Sequence, residues 1–171
     1  MQGVMKKKAL WLLAVLLLIA VTFFAFRPGT IDLDEKLPAR IYSVDDPTFA
    51  GEGSVSMEGK WKKGLNAVQF TGKLAFSQPD IVPEDAENAR LIFRDNVCTP
   101  VFSTDEGMVL PSAIHSFILA REGKGLIAVL YSEYEEKNNA GTARFNREHF
   151  CFICIGDIDR DKAIELIYSH I

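Results

Sequence analysis

Ala9 to Phe26 is an unbroken run of 18 residues with a single, weakly polar member, Thr22. Wound as an α-helix at about 1.5 Å per residue, it reaches roughly 27 Å, close to the about 30 Å hydrocarbon core of a bilayer. One segment can cross that core only as a helix, which satisfies its own backbone groups. Lys6, Lys7 and Lys8 precede the run, and Arg27 and Pro28 end it. The run is longer than the roughly 7–15 apolar residues of a signal peptide. Its end also lacks a small-x-small cleavage site, because Phe23 stands two residues before Ala25 and Leu18 two before Ala20. The sequence therefore predicts an uncleaved, single-pass anchor at residues 9–26 rather than a cleaved signal. Excess Lys and Arg stay on the cytoplasmic side. Residues 1–8 are expected to form a short cytoplasmic tail, with the rest of the chain extracytoplasmic.

The 145 residues after the run suit one domain. All 23 acidic residues and all but three of the 19 Lys and Arg lie there, so residues 27–171 carry a formal charge of −7. That balance argues against nucleic acid, which needs a basic footprint, and against a polybasic membrane-binding surface. Residues 27–53 read as a stalk, with Pro28, Gly29, Pro38, Pro47 and Gly51 among several acids. Within it, Arg40 to Val44 reads as a short ordered piece. Residues 54–171 form the β-rich domain, and residues 50–171 are expected to fold without the anchor or a metal.

Strand signals open the domain. Val55, Met57, Gly59 and Trp61 alternate with polar residues, as do Val68, Phe70, Gly72, Leu74 and Phe76. Period-two alternation puts one face in a core and one in water. Lys62 to Asn66 joins the two as a hairpin loop. Shorter strands follow at Arg90–Arg94 and Val97–Ser103, the second demoted to an edge or bulge by Pro100. Ile114–Arg121 and Leu126–Tyr134 form a hairpin across Glu122-Gly123-Lys124-Gly125. Leu126–Tyr131 and Phe150–Ile155 are apolar on both faces and need a cover on each. Glu135–Gly141 reads as a polar turn and Thr142–Asn146 as a weak strand. The chain ends in a helix from about Asp159 to His170, capped by Asp157 or Asp159. Its apolar stripe is Ile164, Ile167, Tyr168 and Ile171, a plausible cover for the central strands. These patterns predict an α+β chain. An N-terminal transmembrane helix precedes a mainly antiparallel β-sheet or partly closed barrel, on which the C-terminal amphipathic helix packs.

The constellations that could carry chemistry are weak. Cys151-Phe152-Ile153-Cys154 has the spacing of a dithiol redox pair or half a zinc site. Redox pairs work at helix N-termini, whereas this one lies in a strand, where residues three apart point to opposite faces. His149, Cys151, Cys154 and Cys98 could supply four zinc ligands, but the spacing is irregular. Cys98 could instead pair with Cys151 or Cys154 in an oxidising compartment, or all three could be buried thiols. Asp157, Asp159 and Asp161 begin like a calcium loop, but Lys162 and Tyr168 stand where Gly and Glu belong, so capping explains them better. His115, His149, Ser112 and Ser116 fall in no nucleophile motif. Glu133, Glu135 and Glu136 read as a solvated strand end. No catalytic, cofactor or metal residue is assigned.

Gly59-Lys60-Trp61 resembles the Gly-x-Trp signature that opens the barrel of lipocalins. About eight strands followed by a C-terminal helix are also similar to that family. The match covers three residues and a strand count, with no second lipocalin motif. The resemblance implies a barrel interior holding a small apolar ligand, with Trp61 at its closed end; otherwise Trp61 is an aromatic core residue. Three functions stay open. The first is a membrane-tethered, non-enzymatic module contacting a protein or another component of the envelope. The second is a calycin-like binding domain for a small ligand, and the third is an enzyme with dispersed residues. A filled core favours the first, an apolar pocket beside Trp61 the second, and a cleft with convergent His and acidic groups the third.

Overall fold

The computed structural model of the chain describes residues 29–64, 67–77, 81–83, 85–120, 125–137 and 140–171. The tail at 1–8 and the anchor at 9–26 lie outside them. Among the described residues, no helix is long and apolar enough to cross a membrane. The strands in chain order are β1 (Gly29–Ser43), β2 (Ala50–Lys63), β3 (Val68–Phe76), β4 (Asn88–Phe93), β5 (Val97–Cys98), β6 (Val101–Ser103) and β7 (Val109–Leu110). They continue with β8 (Ile114–Leu119), β9 (Gly125–Leu130), β10 (Glu133–Lys137), β11 (Ala140–Arg144) and β12 (Cys151–Gly156), and the chain closes with helix α1 (Arg160–His170). Ten strands make one antiparallel sheet in the order β5-β8-β9-β12-β1-β2-β3-β4-β6-β7, while β10 and β11 pair with each other alone.

The sheet curls into a half-barrel. Asp95 and Asn96, with left-handed φ of 51° and 69°, turn β4 into β5, a conformation these two residue types tolerate. β5 pairs with β8 while β6 returns to β4, so the flanks of the curl approach each other at this end. Thr99 and Pro100 separate β5 from β6, which fits a proline without a ladder donor.

A glycine pair helps the sheet bend. Gly59 on β2 faces Gly72 on β3, and a Cβ on Gly72 would sit 2.1 Å from the Glu58 carbonyl oxygen and 2.6 Å from the Gly59 Cα. The strands approach too closely there for any side chain. Gly72→Ala should therefore cost about 1–3 kcal/mol as overpacking against backbone, which urea melts of the variant would measure.

Two cores share the central strands β9 and β12. Inside the curl, Leu126, Ala128 and Leu130 of β9 and Ile153 and Ile155 of β12 pack with Val55, Phe70, Leu91, Phe93 and Phe102. On the other face, Ile127 and Val129 of β9 and Phe152 and Cys154 of β12 pack under α1. This alternation explains why both strands are apolar throughout. A bulge at His115 in β8 lets Ile114 and Phe117, three residues apart, both join the inner core. Asp159 caps α1, its side chain accepting from the Lys162 N–H at 2.8 Å. Arg160 ties the helix to the end of β1, donating from Nη2 to the Ser43 carbonyl at 3.0 Å.

Several sequence expectations are corrected. The predicted stalk at 27–53 is ordered sheet from Gly29: β1 pairs with β2 along almost its whole length and with β12 from Ala39 to Ser43. Its prolines and acids obscured a period-two pattern. Leu33, Leu37, Ala39 and Ile41 join the inner core, while Asp32, Asp34, Lys36 and Arg40 are exposed. Pro38, which lacks an N–H, stands where pairing with β12 stops. The strand expected over Leu126–Tyr134 ends at Leu130, and the polar turn expected at Glu135–Gly141 includes most of a hairpin, β10 with β11. Polarity alone does not separate a turn from a hairpin closed by its own ladder. Tyr168, expected on the apolar face of the helix, is 49% exposed; Ile167 of that face is buried, and Ala163 is buried beside it.

Candidate functional site

An apolar opening follows from the early exit of β12. Beyond Pro38, β1 and β2 run on as a ribbon with no strand among the described residues on the free side of β1. A cavity of about 420 Å³ lies between this ribbon and the ends of β8, β9 and β12. Ile31, Leu33 and Leu37 of β1 and Met57 and Trp61 of β2 line one side, and Leu119, Gly125, Leu126 and Gly156 the other. The two glycines present no side chain to the space. Among the described residues, Glu35 is the single charged one in the lining, and it is exposed. The volume falls within the about 300–1,000 Å³ usual for small-molecule sites. Trp61 is fixed by aromatic neighbours, its ring centroid 5.8 Å from that of Phe93 and 6.1 Å from that of Phe70.

The opposite end of the curl is filled. Ile81, Val82, Ala86 and Leu110 pack on the inner core there, and the Ala113 N–H donates to the Ile81 carbonyl at 3.2 Å. The resemblance to lipocalins set Trp61 at a closed end; the structure sets it in the wall of an open one. A second hollow, of about 440 Å³, lies along α1 and is lined by Asp157, Asp159, Lys162, Glu165 and His170. Its charges are engaged in part by the helix cap and by the Lys162–Glu165 pair at 2.8 Å.

The polar candidates do not converge on the groove. Ser43, on β1 opposite Cys151, donates its hydroxyl to Asp45 Oδ1, and Asp45 Oδ2 meets His149 Nδ1 at 3.2 Å. Bonds from Ser43, and next from His149, hold the Asp45 carboxyl below its ordinary pKa. The carboxylate thus sits between hydroxyl and imidazole. A nucleophile relay needs the imidazole in the middle, so this cluster is ordered for structure. His115 stacks on Phe145 with ring centroids 4.3 Å apart and meets Tyr131 edge-on at 5.1 Å. Burial pushes its pKa down. Ser112 accepts from the Ile114 N–H at 3.3 Å, and Ser116 is buried. Glu133 is exposed at the start of β10.

The cysteines also stay apart. Cys98 and Cys151 belong to the inner core and Cys154 to the core under α1, as residues three apart in a strand require. All three are free thiols. Burial pushes Cys98 and Cys154 up to about 12 and raises Cys151 as well, which keeps them protonated and unreactive. The four residues weighed as zinc ligands are therefore not brought to one point. Sequence reasoning missed Ile31, Leu33 and Leu37, the β1 side of the groove. Their alternation with Asp32, Asp34 and Lys36 was the available signal. The chain matches no protein family, no curated protein and no solved structure.

Proposed function

We propose that this chain is a membrane-tethered, non-catalytic binding domain that holds an apolar ligand in the groove beside Trp61. The observation that carries the reading is the open end of the half-barrel, where apolar side chains from β1, β2, β8 and β9 surround an unfilled volume. At the opposite end of the curl, Ile81, Val82, Ala86 and Leu110 fill the corresponding space. The tether is the reading of residues 9–26 given above. The polar clusters, by contrast, serve turns and strand ends.

Titration of the chain from Gly29 with an environment-sensitive naphthylamine fluorophore tests this. One saturable site is expected. Leu33→Arg, which puts a guanidinium into the groove wall, should weaken binding by at least about tenfold, or about 1.4 kcal/mol. Lys162→Ala, on the far face of α1, should leave it unchanged. A folded chain that does not bind the fluorophore would return the domain to the envelope-interaction reading. The feature favouring that second reading is the free edge of β1 from Gly29 to Leu37, where an extended peptide could add as a strand. Asp32, Asp34, Glu35, Lys36 and Pro38 along that edge oppose it, as such residues do at protected sheet edges.

A further inference from the structure

The open end of the groove is the end at which the chain enters the domain. Gly29 lies across from Lys63, and Ile31 across from Trp61 in the groove wall. Only Arg27 to Thr30 separate Ile31 from Phe26, the last residue of the apolar run. Five residue steps at no more than about 3.6 Å each reach at most roughly 18 Å. That distance keeps the mouth near the polar headgroup layer of a bilayer crossed by residues 9–26. The plugged end, with Ile81 and Leu110, faces away.

The charge at this end differs from that of the rest of the domain. Among the described residues, Lys60, Lys62, Lys63 and Arg94 are exposed around the β2–β3 and β4–β5 turns, against Asp32 and Asp95. The domain as a whole is at −7. Glu35 lies further in along β1, across from Met57. An anionic group would therefore be held at the mouth by the cations and kept from moving inward by Glu35.

From this arrangement we infer that the groove takes an acyl chain of an anionic phospholipid from the bilayer that holds the anchor. The phosphate sits by Lys63, which follows Trp61 by two residues along β2 and so shares its face, and the hydrocarbon lies against Leu33, Met57 and Trp61. The inference rests on the tethered, apolar-ligand reading and adds the class of ligand, its orientation and its source.

The test uses the full chain in vesicles. Trp11→Phe leaves Trp61 as the sole tryptophan. Its emission is compared in phosphatidylcholine vesicles that contain equal fractions of either phosphatidylglycerol or phosphatidylcholine with brominated acyl chains. The brominated anionic lipid should at least halve the emission of Trp61, and the brominated neutral lipid should leave it nearly unchanged. Leu33→Arg should restore the emission, and so should Ile31→Lys at a position already 62% exposed, with circular dichroism confirming that both fold. Equal quenching by the two lipids overturns the inference. Quenching that survives both variants also overturns it, since Trp61 would then be dipping into the bilayer itself. Absent quenching in a chain that still binds the naphthylamine fluorophore overturns the lipid assignment alone. Absent quenching together with absent fluorophore binding overturns the groove reading as well.

Discussion

A chain shortened to begin at Ala50 should show no cooperative unfolding transition, while one beginning at Gly29 should melt in a single step. The difference lies in β1, the strand between β12 and β2 in the middle of the ten-stranded order. Its removal strips the ladder from both neighbours and takes Leu33, Leu37, Ala39 and Ile41 out of the inner core. Losing the packing of one buried Leu or Ile typically costs about 2–5 kcal/mol. Several lost together, with two strand ladders, exceed the about 5–15 kcal/mol that holds a domain folded. The pairing and packing of β1 argue against the sequence-based expectation that residues 50–171 suffice. Thermal and urea melts of the two chains, followed by circular dichroism, decide the matter. A sharp transition in the shorter chain would mean that β2 and β12 can meet without β1.

Ile167→Ala should destabilise the folded chain by about 2–5 kcal/mol, whereas Lys162→Ala should change it by less than about 0.5 kcal/mol. Ile167 is fully buried against the outer faces of the central strands, in the cluster with Ile127, Val129 and Phe152. Truncating it leaves a void between helix and sheet that neither can close. Lys162 is exposed and reaches only Glu165, and exposed pairs of this kind contribute little. Urea denaturation midpoints of the two variants measure the contrast. Equal losses would show that α1 does not cover the sheet as its burial indicates.

The helix and the central strands were legible in the sequence because their patterns were strong. Leu126–Tyr131 and Phe150–Ile155 announced cover on two faces, and the structure supplies the inner core on one and α1 on the other. Asp159 was among the expected caps. The misreadings share one cause, which is reliance on composition where alternation was present. Pro38 and the acids of residues 32–35 suggested a stalk, although Leu33, Leu37, Ala39 and Ile41 kept the period of a strand. Glu135–Gly141 looked like a polar turn, yet Glu135, Glu136 and Lys137 pair with Thr142, Gly141 and Ala140. The groove was not legible because it is made by a mismatch in strand lengths: β1 runs on where β12 stops. No local pattern encodes such a mismatch, and only the pairing of Ala39 with Ile155 reveals it.

That pairing also sets an order of events during synthesis. β1 emerges first and β12 nearly last, yet they are neighbours. Strands β1 to β4 follow one another through sequential pairings and can form before the later strands arrive. Until residues 151–156 arrive, the Ala39–Ser43 edge of β1 has no partner. Such non-local closure is slow to form, and an unpaired edge exposed in the meantime is prone to pair with other chains. Pro38 and the charged residues before it lie beside the stretch that must wait longest. They disfavour strand addition by a foreign chain during that interval and leave the short segment that β12 needs unobstructed. The nascent chain thus carries its protection against mispairing in the residues that made its first strand look like a linker.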